Sequence, residues 1–165
     1  MRYRGVILFT LLVLGLFLVL LSQKGRVPQT PRAVEGLEVP SFRVVDKNGV
    51  EYTRETLRGK TVFIHFWASW CRECRNEMPE IVKLYQRKKS DPDFVFLGVI
   101  YREDPIKSRK YLKENRYDIP IFVDPDENTA RAFGVTGVPE TYIIGPDGVL
   151  KKKIIGPRRW EDFPI

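Results

Sequence analysis

The stretch Thr61-Val62-Phe63-Ile64-His65-Phe66-Trp67, followed after two residues by Trp70-Cys71-Arg72-Glu73-Cys74, decides how the rest of the chain is read. The first run is β-branched and aromatic and predicts a buried strand. Beyond the cysteines, Cys74, Met78, Ile81 and Tyr85 recur at helical spacing and predict a helix with one apolar face. The two cysteines therefore sit where a strand hands over to a helix. Cys71 falls at the helix N-terminus, where unpaired N–H groups and the helix dipole favour negative charge, and thiolate is the reactive form of cysteine. Cys74 lies one turn further in, close enough to close a disulfide with Cys71 and more buried.

Working outward, residues 1–4 carry Arg2 and Arg4 and precede an uncharged, almost wholly apolar run over 5–21. Its length is near the lower limit of a membrane span, and no small-x-small cleavage site follows, so the reading is an uncleaved transmembrane anchor. A removed signal peptide is the alternative, and either one places the remaining chain outside the cytoplasm. The two arginines ahead of the run predict a cytoplasmic N-terminus, and Lys24 and Arg26 on the far side weaken that inference. Residues 22–36 hold Pro28 and Pro31 and few apolar residues, which makes them a linker; 37–165 form the domain.

Within that domain, 42–45 and 50–52 predict a hairpin around Asn48-Gly49. A short helical turn is expected over 53–58. A second buried strand is expected over 94–100, a helix capped by Asp104 with Pro105 at its first position over 105–116, and a short strand over 119–123. A short helix over 128–133 and a hairpin of 141–144 with 149–155 complete the order. After Gly156 only nine residues remain, with Pro164 among them. A long final helix does not fit there.

Composition excludes several classes. Two cysteines in 165 residues are too few for a disulfide scaffold, and 43% apolar residues are enough for a real core. The formal charge is +7, of which residues 1–36 contribute +4. Lys151-Lys152-Lys153 and Arg158-Arg159 are the candidates for a nucleic-acid face and read as solvated edges, so no nucleic-acid partner is expected. No metal site is expected: zinc needs four ligands, and the only histidine is His65. Haem attachment needs a histidine directly after Cys74, where Arg75 stands. The acidic run Asp124-Pro125-Asp126-Glu127-Asn128 lacks the glycine and the glutamate of a calcium loop. What remains for the cysteines is dithiol redox chemistry or an inert structural disulfide, and a four-residue loop constrains an unfolded chain little.

The sequence resembles the thioredoxin superfamily in Trp70-Cys71-x-x-Cys74 after an apolar strand, in Pro79 inside the following helix, and in Val138-Pro139 before a strand. It is more closely similar to the membrane-anchored thiol–disulfide oxidoreductases of cytochrome c maturation, the CcmG/DsbE and ResA/TlpA type. That similarity is carried by Phe66-Trp67-Ala68-Ser69-Trp70-Cys71, by Glu77, and by Gly134-Val135-Thr136-Gly137-Val138-Pro139-Glu140-Thr141. It covers roughly residues 37–156. It implies an α/β, thioredoxin-like fold: a central mixed β-sheet flanked by helices, with an N-terminal hairpin extension and an N-terminal transmembrane helix. The helix over 105–116 and the strand after it take the place of that family's central insertion.

The resemblance also implies a function and a site. It implies no cofactor beyond a redox-active Cys71–Cys74 disulfide. It implies a bacterial cytoplasmic membrane protein with its catalytic domain on the periplasmic or external face, acting as a reductant. Its expected client is apocytochrome c or a maturation protein carrying its disulfide, and its expected electron source is a membrane reductase. Pro139 is expected to be cis and packed against the disulfide, with Val138 facing an incoming peptide; from spacing alone, a trans proline at a strand start is equally open. Glu77 and Glu140 are expected beside the pair, although spacing alone leaves them a solvated helix residue and a strand-edge charge. Trp70 flanks the pair, and Arg72 should favour the Cys71 thiolate while Glu73 opposes it. A general extracytoplasmic disulfide reductase with another client, or a redox-inert peptide-binding module, are the alternatives.

The chain departs from that family at His65, which stands where thioredoxins carry a buried acid and the maturation proteins an asparagine. Strand alternation puts His65 on the face of Phe63 and Trp67, under the cysteine helix. Two readings follow: a neutral buried imidazole satisfied by a backbone carbonyl, or an acceptor for the Cys74 proton.

Overall fold

The structure, a computed structural model, describes residues 3–23, 32–161 and 163. Most of the expected linker, 24–31, and residues 1, 2, 162, 164 and 165 lie outside the described residues.

The N-terminal helix α1 covers Tyr3–Gln23 and forms a unit of its own. Among the described residues, no helix is long and apolar enough to cross a membrane. The expected transmembrane helix is therefore not part of the fold described here.

The second unit is built on one seven-stranded mixed sheet. Its elements run β1 (Arg43–Val45), β2 (Glu51–Thr53), β3 (Thr61–Trp67), α2 (Arg72–Lys88), β4 (Phe94–Ile100), α3 (Pro105–Glu114), β5 (Ile121–Val123), α4 (Asn128–Phe133), β6 (Glu140–Ile144) and β7 (Leu150–Ile155). Across the sheet the order is β2-β1-β5-β4-β3-β6-β7. β3 and β4 are parallel and joined by α2, β4 and β5 are parallel and joined by α3, and β6 runs antiparallel to β3. The expected N-terminal hairpin is present, and β1 docks it on β5.

Strand alternation divides the core. Val62, Ile64 and Phe66 face the side that holds Phe133 of α4, Val44 and Tyr142. Phe63 and Trp67 face the other side, with Cys74, Met78, Ile81 and Leu84 of α2. His65 lies on the α2 side with them and is fully buried. Opposite His65 in the register is Gly98. A side chain there would meet the Pro120 carbonyl at 2.9 Å and the Phe96 ring at 3.0 Å, so only glycine fits without a shift.

The C-terminal segment carries no helix among the described residues. From this segment Trp160 is fully buried and meets Phe63 edge-on at 5.1 Å between ring centroids.

Candidate active site

Parallel strands β3 and β4 end side by side, with Trp67 opposite Ile100, and the crevice beyond their carboxyl ends is where an α/β sheet places chemistry. Cys71 stands there as the N-cap of α2. Its Sγ accepts a hydrogen bond from the Cys74 N–H at 3.1 Å, and its carbonyl accepts from the Arg75 N–H at 3.1 Å. The first satisfies one of the donors a helix start leaves open, and the second is the first regular bond of the helix. Cys71 and Cys74 are joined as a disulfide. Cys71 is 6% exposed and Cys74 fully buried, so Cys71 is the sulfur a client reaches.

The remaining expected residues fall into two groups. Trp70, Arg72 and Glu73 are exposed around Cys71, with Glu73 in the first turn of α2. Val138 is half-buried with its carbonyl oxygen 3.5 Å from Cys71 Sγ, and the bond to buried Pro139 is cis. Glu140 is buried, but it serves the loop before Pro139. It accepts from the Thr136 N–H at 3.2 Å and from the Tyr142 hydroxyl at 2.6 Å, with Lys153 Nζ at 4.0 Å. Burial, together with that carboxylate, pushes the Tyr142 hydroxyl well above its ordinary pKa, so it stays a donor.

Glu77 is buried on α2 one turn beyond Cys74, rather than solvated as spacing alone suggests. Its Oε2 accepts from the Arg158 N–H at 3.0 Å and from Trp160 Nε1–H at 3.1 Å. Its Oε1 points at His65 Nε2, 3.5 Å away, and neither atom has a hydrogen-bond partner among the described residues. Burial pushes the Glu77 carboxyl up to about 7; the two tail donors oppose this, and Glu80 and Glu73 add to it. Burial pushes the His65 imidazole down to about 3. The contact is therefore between a neutral ring and a carboxyl poised near neutrality, not an ion pair. His65 Nδ1 lies 2.8 Å from the Thr141 hydroxyl, a side-chain partner in place of the expected backbone carbonyl.

Two participants were not anticipated from the sequence. Glu103, just past β4, accepts from the Ser69 N–H at 2.9 Å, the Ser69 hydroxyl at 2.6 Å and the Ser108 hydroxyl at 2.5 Å. It clamps the segment entering Trp70-Cys71 to the start of α3. The available signal was its position, since residues after the carboxyl end of a neighbouring parallel strand reach the same crevice. The other participant is the Arg158–Trp160 segment, which holds Glu77.

Comparison with known proteins agrees with this geometry. Residues 36–153 match the AhpC/TSA family. The chain is 31% identical over 122 residues to the thiol-disulfide oxidoreductase ResA of Bacillus subtilis, covering 74% of this chain and 68% of that one. It is 32% identical over 131 residues to ResA of Geobacillus thermodenitrificans, covering 78% and 73%. Among solved structures it is similar to a thioredoxin-family thiol:disulfide interchange protein of Chlorobium tepidum. That match has a TM-score of 0.65 and 27% identity, over 78% of this chain and 92% of the other. A disulfide at the start of a helix, at the carboxyl edge of a thioredoxin-like sheet, in a chain with these relatives, places the protein in the AhpC/TSA family among its thiol-disulfide oxidoreductases.

Proposed function

We propose that the protein is a membrane-tethered reductant of protein disulfides outside the cytoplasm, acting in cytochrome c maturation on the apocytochrome haem-site disulfide or on a protein that carries it. The observation carrying this reading is the buried Glu77 carboxyl one turn from Cys74. An ionised carboxylate there disfavours a stored thiolate, and a dithiol whose reduced form is not stabilised gives up electrons readily.

In this reading the Cys71 thiolate attacks a client disulfide. The client's S–S bond breaks, one client sulfur leaves as a thiolate and the other joins Cys71. Cys74 passes its proton to Glu77 and attacks Cys71 Sγ. The Cys71–Cys74 disulfide forms and the second client thiolate leaves, so the client gains the two electrons the dithiol loses. The client chain runs extended past Val138, beside Cys71 Sγ. A membrane reductase returns the dithiol, and no cofactor beyond the cysteine pair takes part. The apolar run 5–21 with Arg2 and Arg4 ahead of it supports an uncleaved anchor in the bacterial cytoplasmic membrane, with the domain on the outer face.

The test is a Cys74→Ser trap in membranes, with the mixed disulfides identified. A captured protein with a Cys-x-x-Cys-His segment supports the maturation role. Capture of unrelated clients assigns a general extracytoplasmic reductase. Absence of any trapped client, with no turnover of a model disulfide by the parent, leaves a redox-inert peptide-binding module.

A further inference from the structure

The imidazole of His65 bridges two elements, β6 and α2. Nδ1 reaches the Thr141 hydroxyl on β6, and Nε2 faces Glu77 Oε1 on α2. Glu77 must serve in two states if it takes the Cys74 proton, and each state asks the opposite of its neighbour. As a carboxylate it needs a donor at Oε1; as a carboxylic acid it needs an acceptor. A ring that never charges can supply both, because a neutral imidazole donates from one nitrogen and accepts at the other. The hydroxyl at the far nitrogen must then also be able to reverse, and Thr141 is such a group, since a hydroxyl donates or accepts.

We propose that neutral His65 is the tautomeric partner of Glu77, carrying its hydrogen on Nε2 while Glu77 is ionised and on Nδ1 while Glu77 is protonated, with Thr141 reversing to match. In the ionised state Nε2–H donates to Glu77 Oε1 and Nδ1 accepts from Thr141. After Glu77 takes the Cys74 proton, its O–H donates to Nε2 and Nδ1–H donates to Thr141. The balance is one proton, from the Cys74 thiol to the Glu77 carboxylate, and His65 gains none. The 3.5 Å gap closes to a hydrogen bond with a shift of roughly 0.5 Å in either state. The depressed basicity of the buried ring keeps the imidazolium out of this cycle. His65 is thus a positioning residue acting through Glu77, rather than the acceptor itself.

The groups that set the Glu77 titration are few. Glu73 and Glu80 on α2 raise it, while the Arg158 N–H and Trp160 Nε1–H from the tail lower it. From β4 the position paired with His65 is Gly98, which brings no charge.

This inference rests on the reductant reading for its purpose, but its first test does not. His65 is the only histidine in the chain, so the imidazole nitrogens of the histidine-15N-labelled full-length protein report one site. Across about pH 5 to 9 the ring should change from the Nδ1–H to the Nε2–H tautomer with a midpoint near that of Glu77, without an imidazolium signal. Glu77→Gln should abolish the change. A single tautomer throughout, or an imidazolium above about pH 5, overturns the proposal.

The second test is kinetic. Asn reproduces the Nδ1 position and Gln the Nε2 position, so His65→Asn should lose the Glu77 contact and His65→Gln should keep it. If the midpoint of mixed-disulfide resolution rises by about one pH unit in His65→Asn, the rate at pH 7 falls about five-fold, and His65→Gln should restore it. An unchanged His65→Asn profile, or an equal shift in both variants, overturns the proposal. Failure of the parent to reduce any disulfide would instead sink the reductant reading, while the tautomer measurement would still stand or fall by itself.

Discussion

Trp160 donates its indole N–H to Glu77 Oε2 across 83 residues of chain, at 3.1 Å, and so ties the C-terminal segment to the redox helix. Arg158 adds its backbone N–H to the same oxygen, Glu80 accepts from the Trp160 N–H, and Arg87 donates to the Trp160 and Glu161 carbonyls. Trp160→Phe removes one donor to the ionised carboxylate and leaves a small void against Phe63. The Glu77 midpoint should therefore move above about 7, and stability should fall by roughly 1–3 kcal/mol. The carboxyl band in infrared spectra and urea unfolding read the two effects. A midpoint that stays in place would show that the tail packs on Glu77 without tuning it.

That coupling also marks where sequence reading stopped. Elements fixed by local pattern came through: the β3 run, the amphipathic α2, the Asp104-Pro105 start of α3, and the side of the sheet His65 faces. The third strand of the parallel set shortened from 119–123 to Ile121–Val123, because Pro120 cannot donate to a ladder. The fate of the tail depended on long-range partners. Nothing near Trp160 announces that its acceptors are Glu77 and Glu80, 83 and 80 residues away. Glu77 itself reads as solvated from spacing because its acid breaks the apolar face, and only the tail donors explain its burial. Glu140 was expected beside the cysteines, and its hydrogen bonds go to two local partners, Thr136 four residues before it and Tyr142 two residues after it.

Glu77 and His65 should leave opposing marks on stability. Glu77 titrates near 4.5 in the unfolded chain and near 7 in the folded one. Between those values the folded state holds the extra proton, so stability falls as pH rises, by on the order of 3 kcal/mol in all. His65 titrates near 6.5 unfolded and about 3 folded. Between those values the unfolded state holds the extra proton, so stability rises with pH. The two slopes oppose each other between about pH 4.5 and 6.5, and the oxidised parent should be nearly flat there. Glu77→Gln should expose a climb toward pH 6.5, and His65→Asn a decline from pH 4.5 upward. Urea unfolding of the oxidised forms over this range checks both. A flat Glu77→Gln curve would mean His65 is not held neutral.

Exposure and capping together assign the order of attack. Cys71 Sγ receives the Cys74 N–H at the helix start and is partly open, whereas Cys74 is closed off. Both features favour a reactive Cys71 thiolate. With the protein reduced and alkylating reagent limiting, Cys71 should be labelled first by a wide margin, read by peptide mass. Labelling of Cys74 first would reverse the two roles.

Glu103 is the prediction furthest from the sulfur chemistry. Its carboxylate accepts three hydrogen bonds, two from Ser69 and one from Ser108, and so joins the loop leaving β3 to the first turns of α3. Ser69 lies two residues before Cys71, so the position of the attacking sulfur depends on this clamp. Glu103→Ala strips the Ser69 N–H and both hydroxyls of their acceptor in a half-buried site. Each lost bond is worth roughly 0.5–1.5 kcal/mol, so a stability loss of about 1.5–4.5 kcal/mol is expected for the three. Disulfide turnover should slow several-fold, because a nucleophile displaced by even about 1 Å loses much of its alignment. The pH midpoint of Cys74 resolution should not move, since Glu103 is not among the groups that set the Glu77 titration. Glu103→Gln keeps one acceptor oxygen and should fall between parent and alanine variant. A shift in the midpoint without loss of turnover would show that Glu103 acts on the proton and not on the loop.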